Sequence, residues 1–111
     1  MRAYYIHELA QEDVRRIKDY LTHLGHGGPI EDIYWFELPR ERLTDRQRRH
    51  HEECGPYVFS LETGSTWIYL ELLVRPRSTL YCSCYQYANT QQATFIMHQL
   101  EEILTELDIS T

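Results

Sequence analysis

No apolar run in the sequence is long enough to cross a membrane. The best candidate, residues 67–74, is broken by Glu71 and followed by Arg75. The first eight residues (Met1, Arg2, Ala3, Tyr4, Tyr5, Ile6, His7, Glu8) lack the apolar core of a signal peptide. The expectation is a soluble, cytoplasmic chain with no membrane partner. Cysteine is scarce and its count of three is odd, which argues against a secreted disulfide framework. There is no C-x-x-C pair, no G-x-S-x-G context and no glycine-rich loop ahead of a helix. The segment Gly25-His26-Gly27-Gly28 follows a helical pattern instead. Internal repeats, low-complexity tracts and interdomain linkers are also absent.

What is present suits one globular domain. The 111 residues can bury one core, and 42% hydrophobic with 25% charged residues excludes the disordered classes. A net charge of −6 disfavours nonspecific nucleic-acid binding. The charge is uneven. Between residues 39 and 51, Arg40, Arg42, Arg46, Arg48 and Arg49 stand against Glu41 and Asp45, so this island is positive in an acidic chain. Lys18 is the only lysine beside ten arginines, which reads as base composition rather than function.

Ile6, Leu9, Ala10, Val14, Ile17, Leu21 and Leu24 recur at helical spacing. The helix starts either near Tyr4 or near Gln11 after an extended lead, and the Gly25–Pro29 loop ends it. Residues 30–38 read as a strand around Ile33-Tyr34-Trp35-Phe36. Thr44 and Gln47 have capping-box spacing, opening a short helix over residues 45–54 with almost no apolar face. Residues 57–63, 66–75 and 80–87 read as an antiparallel meander. Ile68, Leu70, Leu72 and Val74 share one face of it, and Trp67, Tyr69, Glu71 and Leu73 the other. Asn89 and Gln92 repeat the capping-box spacing and open a last helix with the stripe Ala93, Ile96, Met97, Leu100, Ile103, Leu104, Leu107. The predicted fold is an α+β two-layer sandwich. It has about four antiparallel strands, two long helices on one face and one short helix, in the order α-β-(α)-β-β-β-α.

Three constellations bear on function. Leu80, Cys82 and Cys84 share a strand face, where both thiols read first as small core hydrophobes. The competing reading is zinc. His50 and Cys54 stand i, i+4 on a helix, and with Cys82 and Cys84 they form a candidate Cys3His set that would pin a nearly coreless helix. A thiol enzyme ranks third. Cys54 follows Glu52 and Glu53 near a helix C-terminus, which opposes thiolate formation, although His50 or His51 could serve as base. The second constellation is aromatic: Trp67, Tyr69, Tyr81, Tyr85 and Tyr87 fall on the sheet face opposite the helices. That face reads as a minor core or as an interface, with a homodimer or another protein as partner. The third is Arg46, Arg48 and Arg49, a candidate anion-binding group that reads equally as a solvated, self-paired surface. His7, His23, His26 and His98 are scattered and read as surface residues. The leading functional reading is an interaction module rather than an enzyme.

Overall fold

The computed structural model describes residues 2–77 and 85–111. The fold is α+β. Its elements are β1 (Ala3–Ile6), α1 (Gln11–His23), β2 (Ile33–Glu37), a 3-10 turn at Arg40–Arg42, α2 (Asp45–Arg49), α3 (His51–Cys54), β3 (Tyr57–Thr63), β4 (Ile68–Pro76), β5 (Gln86–Tyr87) and α4 (Thr90–Glu106). The sheet is antiparallel with strand order β1-β4-β3-β2. One edge of β4 pairs with β3. The other is shared by β1, against Ile68 to Glu71, and β5, against Leu73 and Val74.

The extended lead is itself a strand. Tyr4 and Ile6 fit a helical stripe by spacing, but Ala3-Tyr4-Tyr5-Ile6 pairs residue by residue with β4. The helix begins only at Gln11, with Glu12 and Asp13 in its first turn, where the dipole favours acid. The single short helix expected over residues 45–54 is two helices, broken at His50.

Burial along β4 alternates strictly. Ile68, Leu70, Leu72 and Val74 are buried, while Tyr69, Glu71, Leu73 and Arg75 are half-buried. The inner face meets Val14, Ile17 and Leu21 of α1 and Ile96, Leu100 and Leu104 of α4 in one core. Both long helices therefore lie on the same side of the sheet. No helix among the described residues is long and apolar enough to cross a membrane.

The two capping boxes form as the spacing requires. Thr44 Oγ1 accepts from Gln47 N–H and Gln47 Oε1 from Thr44 N–H. Asn89 Oδ1 accepts from Gln92 N–H and Gln92 Oε1 from Asn89 N–H. Both glutamines are buried, and the free amide nitrogen of Gln92 reaches the oxygen that Gln47 already uses in its own capping box. Gln92 Nε2 donates to Gln47 Oε1 at 3.0 Å and to the Arg42 carbonyl at 2.8 Å. This polar pair, together with Leu43 in the core, docks the short helix that lacks an apolar stripe.

Both long helices end in a left-handed exit. After α1, Gly25 takes φ +85°, Gly25 N–H bonds the Thr22 carbonyl, and His26 N–H bonds that of Leu21. After α4, Asp108 holds the same position at φ 55°, with Ile109 N–H bonding the Leu104 carbonyl. The Arg16 guanidinium of α1 donates to the Leu107 carbonyl and ties the helices together there. A side chain with a Cβ in the left-handed region is strained. Asp108→Gly should therefore stabilise the protein by about 0.5–1 kcal/mol, seen as a higher urea midpoint at unchanged slope. A lower midpoint would mean that the aspartate side chain contributes more than its backbone strain costs.

Lys18 Nζ lies 2.6 Å from Asp32 Oδ1. Bonding to that carboxylate raises the lysine pKa above its ordinary 10.5. A raised lysine pKa stabilises fully below the ordinary value and is lost only as pH rises through the folded one. The pair thus contributes no pH dependence near neutrality.

Candidate functional site

The outer sheet face divides in two. In one half, Trp35 of β2 and Arg75 of β4 flank β3, and the guanidinium stands 5.5 Å from the indole centroid. Their cross-strand neighbours on β3 are Ser60 and Val58. The contact therefore arches over β3, and both residues beneath it are buried on the face opposite the two long helices. Arg75 also donates to Glu71 at 2.7 Å.

The other half is aromatic and open. Tyr5 of β1 pairs with Tyr69 of β4. The Tyr5 ring lies 5.7 Å from Trp67, stacked, 5.9 Å from Tyr69, edge-on, and 4.9 Å from His7. Tyr5 is nevertheless 46% exposed. Trp67 is held by the β3–β4 turn. A Cβ on Gly64 would stand 2.0 Å from the indole, so glycine at 64 is the space the ring occupies. Read from sequence, that glycine marks a turn; its φ is not left-handed, and its role is steric.

The expected aromatic set is thus partly assembled. Trp67 and Tyr69 sit together, and Tyr5 joins them through the strand the periodicity concealed. Tyr87, across from Leu73, lies apart from them, with the Arg2 guanidinium 4.4 Å from its ring centroid. Tyr85 is exposed, outside any strand. Tyr81 lies outside the described residues.

The opposite side of the molecule carries a cleft of ≈ 360 Å³ between the end of α1, β2 and α4. Its floor includes Phe36 and Phe59, stacked at 5.3 Å, and its walls include Tyr20, Phe95 and Ile103. Glu37, Glu102 and Glu106 line it as well. The left-handed exit of α1 carries His26 back over β2 at this point. The His26 carbonyl accepts from Trp35 N–H, its Nδ1 lies 3.0 Å from the Trp35 carbonyl, and its ring stacks on Phe36 at 4.3 Å. Sequence reading set His26 aside as a scattered surface residue. The signal available was Gly25, since a left-handed exit returns the next residue to the last helical turn.

The arginine island is braced from within. Arg48 bonds the Arg40 carbonyl and the Asp45 carboxylate, and Arg42 lies 5.0 Å over Phe95. Arg46 and Arg49 are exposed beside it.

Cys54 is buried in the core and disulfide-bonded, with its partner outside the described residues. The odd cysteine count argued against a disulfide framework, and Cys54 takes part in a single bridge. A disulfide sulfur is neither a thiolate ligand nor a nucleophile, so this state of Cys54 supports neither the zinc reading nor the thiol-enzyme reading. His50 sits at the junction of α2 and α3, and its carbonyl accepts from Cys54 N–H at 2.7 Å. Cys82 and Cys84 lie outside the described residues. Among the described residues, no group of three or more His, Cys, Asp or Glu side chains could hold a metal.

No protein-family model, curated protein or solved structure matches the chain.

Proposed function

We propose that the protein is an interaction module that pairs with a second copy of itself through the open half of the outer sheet face. The observation that supports this is the Tyr5–Trp67–Tyr69 cluster. It is a preorganised aromatic patch with 46% of Tyr5 in solvent, on a side that neither long helix covers. Large aromatics with few torsions make effective interface anchors. The chain carries −6 overall, so two copies repel through most of their surface. Beside the patch the Arg75–Glu71 pair is already neutralised within the chain, and Glu62, across from Tyr69 on β3, adds one exposed carboxylate. A two-fold axis through the patch would stack the Tyr5 rings of both copies against Trp67 and Tyr69.

Light scattering across a concentration series tests this. The wild type should run at twice the chain mass at tens of micromolar, and Tyr5→Glu should run as a folded monomer with a cooperative thermal melt. Tyr85→Glu places a charge at the other end of the sheet and should leave the dimer intact. A wild type that stays monomeric at millimolar concentration would remove the proposal. Dissociation by Tyr85→Glu alone would move the contact to the β5 end.

A further inference from the structure

We propose that the cleft between α1, β2 and α4 is a binding site for a small organic cation, a primary ammonium on an aromatic or branched apolar body. This site is separate from the aromatic sheet face and does not depend on the dimer.

Size comes first. A cleft of ≈ 360 Å³ falls in the range of small-molecule sites. Below its floor, the space among Phe36, Phe59, Leu61, Ile96 and Leu100 closes to ≈ 10 Å³, no more than one water requires. The cleft therefore ends on a closely packed apolar base that suits a hydrophobic ligand body.

The lining sets the sign of the charge. Glu37, Glu102 and Glu106 line the cleft, and no lysine or arginine is among its lining residues. Arg42 stands 5.0 Å over the Phe95 ring, outside the lining. Glu102 also meets His98 at 3.4 Å, but both side chains are at least 60% exposed, so that contact yields at little cost.

His26 adds a directed acceptor. A carbonyl oxygen only accepts, so the contact with Trp35 O places the proton on Nδ1. In the neutral tautomer that donates Nδ1–H, Nε2 is an acceptor. Carboxylates, an imidazole lone pair and the Gln99 amide oxygen make a rim rich in acceptors, matched to an ammonium with three donors.

The strand edge argues for a small molecule over a peptide. An extended peptide beside β2 would need free backbone groups there. His26 already occupies the Trp35 N–H and carbonyl, and Gly27 forms a bridge with Tyr34.

The test titrates phenethylammonium, phenethyl alcohol and phenylacetate into the full chain at neutral pH and low salt, followed by amide NMR shifts. The ammonium should bind saturably, with shifts centred on His26, Phe36, Gln99 and Ile103. The neutral alcohol should bind about tenfold more weakly and phenylacetate more weakly still, because one charge-assisted hydrogen bond separates each pair. The double variant Glu102→Gln, Glu106→Gln changes only exposed side chains. It should weaken the ammonium about tenfold and leave the alcohol unchanged. Equal affinity for all three probes would overturn the proposal, as would the absence of saturation at millimolar concentration or shifts centred elsewhere. Repeating the titration on Tyr5→Glu separates the outcome from self-association: a true cleft site binds the ammonium identically in that variant.

Discussion

Gln92→Glu should destabilise the protein by about 3–5 kcal/mol at neutral pH, the cost of an uncompensated buried charge. Gln92 is 2% exposed, and its Nε2 donates to the Arg42 carbonyl and to Gln47 Oε1. A carboxylate there would face two acceptors with no proton to give. Gln92→Leu removes the repulsion but leaves the Arg42 carbonyl unpaired, at about 1–3 kcal/mol. The two variants also part with pH. Burial and the facing oxygens raise the glutamate's folded pKa above its unfolded value of about 4.3, so the folded state binds more protons. Stability of the Glu variant then falls as pH rises from about 4.3 through the folded pKa, and returns on acidification. Urea denaturation of both variants at pH 4 and pH 7 reads this. Equal stability at pH 7, or no recovery in acid, would mean that the glutamine pair is not the contact that holds α2 to α4.

Reducing the Cys54 disulfide should cost about 2–4 kcal/mol through the freed entropy of the unfolded chain. Thermal melts of the wild type with and without dithiothreitol should differ by several degrees. Cys54→Ser should match the reduced wild type and ignore the reductant. The same melts separate the disulfide from the zinc reading. A structural zinc site would respond to a chelator and would bring metal in elemental analysis, whereas a disulfide responds to neither. Indifference to dithiothreitol combined with sensitivity to chelator would reinstate the set His50, Cys54, Cys82 and Cys84.

The parts of this fold that were legible in the sequence are those whose signal is local. Thr44 with Gln47 and Asn89 with Gln92 lie three residues apart, and each capping box forms as read. The alternation along β4 and the stripe of α4 are local in the same sense. The reading stayed open where a local pattern supports two periods. Tyr4 and Ile6 lie two apart, as in a strand, yet Ile6 also extends the stripe Leu9, Ala10 and Val14; pairing with β4 decides between them. The meeting of the two glutamines left no trace, since 45 residues separate them and each has a sufficient local explanation. The cleft was invisible for the same reason. It needs the end of α1, the middle of β2 and one side of α4, and no spacing rule joins those three segments. The aromatic face stood between these cases: β4 exposed its parity, but Tyr5, the most open ring of the Tyr5–Trp67–Tyr69 cluster, came from a lead whose extended form was one of two readings.

The sharing of one β4 edge between β1 and β5 also sets an order of assembly. The β3–β4 hairpin pairs Thr63 with Ile68, whereas β1 pairs Ala3 with Glu71. Closing the longer loop costs about 2 kcal/mol more entropy than closing the hairpin. The hairpin and its β2 neighbour therefore form the early lattice, and β1 docks onto a sheet that already exists. Tyr5 arrives with β1, so the aromatic patch is completed only when β1 docks. Until then the chain presents Trp67 and Tyr69 without their third ring, and the contact proposed for self-association is a property of the finished fold alone.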